Sequence, residues 1–106
     1  MIARVWRGRT TTENADAYLD FLAGTIFPGL AKISGHCAAY VMRRPLEGGT
    51  EFVVTTLWSS MEAIRRFAGD NPEAAVVEPR AHELLDEYDD FVSHYDLVYR
   101  SEVFPE

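Results

Sequence analysis

Residues 51–58 read EFVVTTLW, and six of these eight residues are β-branched or aromatic. Such side chains fit the pleated surface of a sheet, so this stretch predicts a strand. The run LEGGT at residues 46–50 precedes it and is typical of a hairpin loop. Residues 36–45, HCAAYVMRRP, lie before that loop and predict the partner strand. The centre of the chain is therefore predicted to be a β-hairpin.

A helix is predicted directly after the hairpin. Ser59 is followed three residues later by Glu62, which is the pattern of a capping box. The run GDNP at residues 69–72 ends this helix, and Pro72 is suited to begin a short one whose apolar part is VV at residues 76–77. The apolar positions of the first of these helices are Met61, Ile64 and Ala68.

Further elements are predicted on both sides. Residues 2–9, IARVWRGR, predict a strand, and an amphipathic helix follows until Pro28-Gly29 ends or kinks it. Residues 79–91 allow one more short helix, and residues 92–100, VSHYDLVYR, predict the last strand. The apolar positions of the amphipathic helix are Ala15, Tyr18, Leu19, Leu22 and Ile26, with Leu30 and Ile33 continuing them beyond a kink.

The order of elements is β-α-β-β-α-β with a helical insert before the last strand. This order predicts a single α+β, ferredoxin-like domain over residues 1–106, with a four-stranded antiparallel sheet. Two helices cover only one face of such a sheet, yet the strands carry apolar side chains on both faces. Burial of the second face against another copy would contribute roughly 25 cal/mol per Å². The sequence therefore predicts a homodimer that packs through its sheet faces.

Composition narrows the classes of partner. The net charge of −7 at pH 7 disfavours binding to a phosphate backbone, so no nucleic-acid partner is expected. No apolar run approaches the roughly 20 residues that a membrane helix needs, and the charged N-terminus is unlike a signal peptide. Cys37 is the only cysteine, so no internal disulfide is expected. These features predict a cytoplasmic protein without a membrane partner.

The sequence lacks the common motifs of nucleotide, hydrolase and zinc chemistry, namely GxGxxG, GxxxxGK[ST], GxSxG, HExxH and CxxC. Cys37 and His36 are neighbours on a strand and point to opposite faces, which makes them a poor nucleophile–base pair. His82 and Asp86 would share one helical face, but two ligands are weak evidence for a metal site. Neither a metal nor another cofactor is predicted.

The chemistry-bearing side chains that remain are aromatic or basic and lie on or beside the strands. Such a set is typical of a flat apolar pocket with a few polar groups. Each residue also has a structural alternative. The aromatic residues suit core packing, the histidines suit a surface or hydrogen-bonded core position, and the arginine suits an ion pair. The candidates are Arg7, His36, Tyr40, Trp58, Phe67 and His94.

In four segments the sequence resembles the antibiotic biosynthesis monooxygenase family of dimeric α/β barrels. The segments are MIARVWRGR (1–9), LWSSMEAIRRFAG (57–69), NPEAAVVEP (71–79) and HYDLVY (94–99). The resemblance implies a ferredoxin-like subunit that dimerises through its sheet and holds a pocket between sheet and helices. Some members oxygenate polycyclic phenols without metal or flavin, and a related branch binds and degrades haem.

The same resemblance argues against haem degradation. The haem-degrading branch has an Asn, a Trp and a haem-ligating His at positions that correspond here to Arg7, Phe67 and about Val77. None of the three matches, although His82 is left open as a different ligand.

The resemblance therefore implies a cofactor-independent monooxygenase for a small reduced aromatic substrate, such as a quinol or an anthrone. In this hypothesis His94 is the base that removes a phenolic proton, and Arg7 stabilises the resulting anion. Two alternatives stay open: a non-catalytic small-molecule binding protein, and a non-oxidative isomerase, cyclase or decarboxylase on the same scaffold. The walls of the apolar or aromatic ligand's pocket would be Trp58, Tyr40, Phe67 and His36.

Overall fold

The computed structural model describes residues 1–105, whose main feature is an antiparallel sheet. The strands are β1 (Ile2–Thr10), β2 (His36–Leu46), β3 (Gly49–Trp58), β4 (Glu87–Tyr88) and β5 (Ser93–Asp96). β3 pairs with β2 on one side and with β1 on the other. The two short strands β4 and β5 pair with opposite halves of β1 along its second edge. The sheet is thus four strands wide, which confirms the predicted α+β, ferredoxin-like fold.

Helices pack against one face of this sheet. They are α1 (Ala15–Phe21), α2 (Phe27–Leu30), α3 (Met61–Ala68) and α4 (Pro79–Leu84), and a π-helical segment, Leu22–Ile26, joins α1 to α2. Pro28 has no N–H to donate to the carbonyl four residues back, which disturbs the α-helical register. The N–H of Phe27 donates instead to the oxygen of Leu22, five residues back. At the predicted kink, the helix therefore widens and then resumes.

The hydrophobic core lies between the helices and the sheet face that they cover. Phe52 and Trp58 of β3 point into it and have no exposed surface. Tyr18 of α1 packs edge-on against Phe52, with ring centroids 4.9 Å apart. Ile64 of α3 is also fully buried and belongs to a second cluster around Trp58. The alternation in β3 thus fixes which sheet face receives the helices.

Two predicted helix boundaries are wrong. Ser60, and not Ser59, caps α3, because the Oγ of Ser60 accepts a hydrogen bond of 3.2 Å from the N–H of Ala63. Residues 72–78 form no helix. The short helix begins instead at Pro79, whose fixed φ suits the first turn.

The end of the chain also differs from the prediction. The last strand covers only Ser93–Asp96 rather than residues 92–100. Its partner β1 begins at Ile2, and the N–H of Leu97 already pairs with the carbonyl of Met1, so later residues find no further partner on β1. The predicted helical stretch 79–91 contains β4 as well as α4.

The opposite side of the sheet, the open face, carries the other set of alternate strand residues. Large apolar side chains are exposed on it, with Tyr40 at 45%, Met42 at 58% and Tyr95 at 59%. The chain after β5 reaches this face, where Arg100 Nη2 donates to the hydroxyl of Tyr40 at 3.0 Å. Within residues 1–105, no helix has both the length and the apolar character needed to cross a membrane.

Candidate active site

A small cavity, the inner chamber, lies between the helices and the helix-covered face of β1 and β3. Its volume is about 80 Å³. Arg4 of β1 is its one basic lining residue among the described residues. Most of its other walls are aliphatic or aromatic, among them Tyr18, Leu22, Val54, Ala81 and Val92. The chamber is therefore an apolar space with a cation at its wall.

A second and wider space, the outer cleft, shares part of its lining with the chamber. Its volume is about 560 Å³, which is within the range of roughly 300–1,000 Å³ seen for small-molecule sites. The π-helical segment contributes to both spaces, and such segments are frequent at functional sites. The residues that line both spaces lie between them, and we call this shared boundary the mouth; they are Phe21, Ile26, Leu30, Phe67, Val76 and Glu78.

Arg4 is the central polar residue of the site. Only 5% of its surface is exposed. Its guanidinium donates to the carbonyl of Pro72, to the carbonyl of Ala74 at 2.9 Å and to Nε2 of His94 at 3.1 Å. A guanidinium has five N–H donors, so two remain. Within residues 1–105 no carboxylate forms an ion pair with it.

His94, on β5, lies beside Arg4 and is held in one tautomer. Arginine can only donate, so Nε2 of His94 accepts and the proton of the neutral ring is on Nδ1. Burial lowers the pKa of His94, Arg4 lowers it further, and Glu73 opposes both. His94 is therefore neutral at neutral pH, and the lone pair of Nε2 is already engaged.

Residues 72–78, the strap, close the site on one side. Arg4 holds the carbonyls of Pro72 and Ala74 in the strap. The strap is also paired with the chain before β5, because Ala75 N donates to the oxygen of Asp90 at 2.9 Å. Since the strap carries Val76 and Glu78 to the mouth, Arg4 positions part of the site as well as facing into it.

The aromatic wall of the mouth is Phe67 of α3. The guanidinium carbon of Arg4 lies 5.6 Å from the centroid of its ring, a cation–π arrangement. The ring of Phe67 also stacks on that of Trp58, with centroids 5.7 Å apart. Trp58 is fully buried and donates from Nε1 to Oγ1 of Thr56 at 2.8 Å. Trp58 thus lies behind the lining and supports Phe67.

The structure does not bring all the predicted site residues together. Phe67 lines the site and His94 contacts Arg4. Arg7 and Tyr40 are exposed on the open face, on the far side of the sheet. His36 packs edge-on against Trp58, with centroids 4.9 Å apart, and its buried Nδ1 has no partner among the described residues. The His94–Arg7 pair of the sequence-based hypothesis is therefore divided between two faces.

Arg4 and Glu78 are the charged residues lining the chamber that sequence reasoning missed. Residues of a strand alternate between faces, so Arg4 shares the face of Trp6 and Arg7 does not. The sequence contains no signal for this face, because aromatic side chains lie on both faces of the sheet, with Trp6 on the covered one and Tyr40 and Tyr95 on the open one. Glu78 has no signal either, since it follows an irregular segment.

Comparison with known proteins gives the family of the chain. Residues 1–79 match the family model described as antibiotic biosynthesis monooxygenase. The chain belongs to this family. No curated protein matches the chain.

Solved structures of antibiotic biosynthesis monooxygenase type share the fold. A putative antibiotic biosynthesis monooxygenase from Bacillus cereus has 14% sequence identity and a TM-score of 0.65, covering 96% of this chain and 97% of that one. A variant of SnoaB, a cofactor-independent oxygenase from Streptomyces nogalater, has 15% identity and a TM-score of 0.61, covering 99% and 97%. The heme-degrader MhuD from Mycobacterium tuberculosis has 18% identity and a TM-score of 0.62, covering 96% and 100%. At such low identity these likenesses show the fold alone.

The lining of this antibiotic biosynthesis monooxygenase family member does not fit a haem. Haem iron is usually held by His, Cys, Met or Tyr. Among the described residues, the outer cleft is lined by none of these four types. Tyr18 lines the inner chamber, which is far too small for the macrocycle, and burial raises the pKa of Tyr18 above its ordinary range. His82 lies outside both linings and pairs with the hydroxyl of Tyr88 at 2.8 Å.

Proposed function

We propose that the protein is a cofactor-independent monooxygenase that acts on a small reduced aromatic molecule, such as a quinol or an anthrone. Membership of the antibiotic biosynthesis monooxygenase family supports the oxygenase chemistry. The fold is shared with SnoaB, which is a cofactor-independent oxygenase. The observation that carries the proposal is the buried guanidinium of Arg4 at the wall of an apolar chamber.

Arg4 would stabilise the anion that a reduced aromatic forms when it loses a proton. Deprotonation makes the ring electron-rich enough to react with oxygen, and a nearby cation lowers the energy of that anion. Two N–H groups of Arg4 are available for this contact, and the surrounding apolar walls strengthen the attraction. Loss of one such preorganised donor typically lowers kcat by roughly 10²–10³.

Glu78 is our candidate for the group that accepts the proton. It is the only carboxylate among the described residues that line the chamber and the cleft. His94 was the sequence-based choice, but its Nε2 lone pair is engaged by Arg4. We therefore assign Glu78 as the base and His94 as a positioning residue that orients Arg4.

The outer cleft would hold the aromatic ring. Phe21 and Phe67 stand at its mouth, where ring-to-ring contacts with a flat ligand would form. The cleft is large enough for a small aromatic molecule, whereas the chamber is not. A ring in the cleft would direct its reacting edge through the mouth towards Arg4.

Oxygen uptake by purified, chelator-treated protein tests the proposal. A panel of anthrones and hydroquinols is supplied, and autoxidation measured without protein is subtracted. Saturable uptake is expected with an anthrone, with one quinone and one water formed per oxygen molecule and no hydrogen peroxide released. The absence of uptake above background across the panel would overturn the oxygenase proposal.

The roles of Glu78 and His94 are separated by matched variants. Glu78→Gln is expected to lower kcat by roughly 10²–10⁴, the usual contribution of a general base. His94→Gln retains an acceptor for Arg4 and should keep most of the activity, whereas His94→Ala should not. Loss of activity in Glu78→Gln with activity kept in His94→Gln supports Glu78 as the base. Loss of activity in His94→Gln with activity kept in Glu78→Gln would return the base role to His94.

A non-catalytic binding protein is the second candidate. The engaged lone pair of His94 favours it, because no buried free base faces the chamber among the described residues. A binder would show a rise in melting temperature with an aromatic ligand and no turnover. Product formation under the same conditions would exclude this reading.

We also propose that the protein is a homodimer packed through the open face. The exposed apolar residues Tyr40, Met42 and Tyr95 support it, because they would be buried in such a dimer. Met42→Glu should shift the mass in sedimentation equilibrium from dimer to monomer, and Ala23→Glu, on the helical side, should leave it unchanged. A monomeric wild-type mass at micromolar concentration would contradict the dimer.

Location and partners complete the proposal. Cys37 is exposed and unpaired, and a free thiol persists in a reducing compartment, which supports a cytoplasmic location. The net charge of −7 supports a small apolar or aromatic partner over a nucleic acid. Cell fractionation with an antibody against the chain tests the location, and recovery outside the cytoplasmic fraction would contradict it.

A further inference from the structure

The two spaces of the site differ about sevenfold in volume, at about 80 and 560 Å³. A cavity of roughly 150 Å³ is what one benzene ring occupies in a protein core. The inner chamber is about half that size, so it excludes even a single aromatic ring unless its walls move. A ring fits the cleft, and the chamber is left for something much smaller.

We infer that the inner chamber is the dioxygen site, and that the aromatic substrate occupies the outer cleft. This inference rests on the proposed oxygenase function. Dioxygen is small and apolar, and it suits a space walled by Leu22, Val54 and Ala81. The mouth would bring the reacting carbon of the ring against the dioxygen molecule, with Arg4 on the chamber side.

The chemistry balances with these two reactants alone. Loss of a proton from the reacting carbon leaves a carbanion, whose electron pair forms a C–O bond to dioxygen and gives a peroxide anion. The proton returns to the terminal oxygen. The hydroperoxide then loses water as its O–O bond and the second C–H bond break, which leaves a carbonyl. The net change is R₂CH₂ + O₂ → R₂C=O + H₂O.

Arg4 determines where in the chamber a negative charge is stabilised. The negative charge moves from the ring to the distal oxygen as the C–O bond forms, and that oxygen would lie inside the chamber beside the guanidinium. Arg4 is fixed there by the strap and by His94, so it needs no rearrangement to meet this charge. Arg4 is the one basic residue among the described residues that line the chamber, so an anion formed elsewhere in the chamber would lack such a partner.

A chamber-filling variant tests the inference. Ala81 lines the chamber but not the cleft, so Ala81→Leu should fill the dioxygen site and leave the ring site intact. The KM for dioxygen is expected to rise roughly fivefold or more. The Kd of a redox-inert dihydroxyanthraquinone should change less than about twofold. Ala23→Leu adds the same atoms outside both linings and should change neither value.

Xenon provides a test that does not depend on a variant. Crystals of wild-type protein under xenon pressure should show the gas in the inner chamber, and crystals soaked with the dihydroxyanthraquinone should show the ring in the cleft. A ring found in the chamber, or xenon found only elsewhere, would overturn the inference. An unchanged KM for dioxygen in folded Ala81→Leu would also overturn it while leaving the oxygenase proposal standing. No oxygen uptake by the wild type would overturn both.

Discussion

Replacing Arg4 by methionine should destabilise the protein by removing the clamp on the strap. Methionine keeps an unbranched apolar stem but has no donor, so the carbonyls of Pro72 and Ala74 lose their partner. Each buried acceptor left unsatisfied costs about 1–3 kcal/mol. Relief from burying an arginine without a carboxylate offsets part of this loss. The net expectation is a fall of about 2–4 kcal/mol in the free energy of unfolding.

Urea unfolding followed by circular dichroism measures this change. Arg65→Met is the matched control, because it removes the same charge from an exposed position on α3 and should cost less than about 0.5 kcal/mol. The loss should be local as well as global. Thermolysin should cleave the strap near Val76 faster in Arg4→Met than in the control, at a denaturant concentration where both remain folded.

Equal stability of the two variants, within about 0.5 kcal/mol, would refute the prediction that the hydrogen bonds of Arg4 stabilise the strap. Equal resistance of the strap to thermolysin would do the same. Arg4 would then be a buried cation whose hydrogen bonds to the strap contribute nothing, and its position beside the chamber would have to be explained by the site alone.

Three further predictions concern substitutions of single residues. Burial raises the pKa of Tyr18. The stability that Tyr18 contributes is therefore complete below the unfolded phenol's pKa of about 10 and is lost as the pH rises through the folded pKa. In an alkaline ultraviolet titration, Tyr18→Phe should lack the last tyrosine to ionise. Gly35→Ala should lower the free energy of unfolding, measured by urea titration, by more than about 2 kcal/mol, because φ is +95° and the new Cβ would lie 2.4 Å from the Cβ of Ala63. Gly48→Ala has a positive φ but open space around the new Cβ, so it should lower that free energy by only about 1 kcal/mol. Trp58→Ala should cost about 3–5 kcal/mol by thermal unfolding, and a cost below about 1 kcal/mol would contradict its place in the core.

The fold was predictable where a local pattern and a tertiary role agree. The run in β3 is β-branched and aromatic, and its residues Phe52, Val54 and Trp58 are buried under the helices. The α3 segment likewise combines a serine cap with an apolar face. The strap and the end of β5 were not predictable, because their conformations depend on distant partners. Arg4 fixes the strap from 68 and 70 residues away in sequence, and β1 limits the length of β5.

The site was harder to predict than the fold. Arginines 4, 7 and 9 lie on one strand, and sequence alone does not say which face the helices cover. Arg7 and Arg4 therefore lie on opposite faces of the strand, and only Arg4 lines the chamber. His94 illustrates a different limit, since its lone pair is engaged by a residue 90 positions earlier in the chain. Neither fact has a signature in local composition.

We expect Arg4 to stabilise an aromatic anion in this site. The most direct measurement is the phenolic pKa of a dihydroxyanthraquinone bound to the protein, read from its visible absorption, because this ligand is redox-inert and reports ionisation alone. Wild-type protein should lower that pKa by about one unit or more, as an adjacent cation does, and Arg4→Met should abolish the shift while still binding the ring. The same ligand pKa in wild type and Arg4→Met, or a failure of both proteins to bind the ligand, would contradict this role of Arg4.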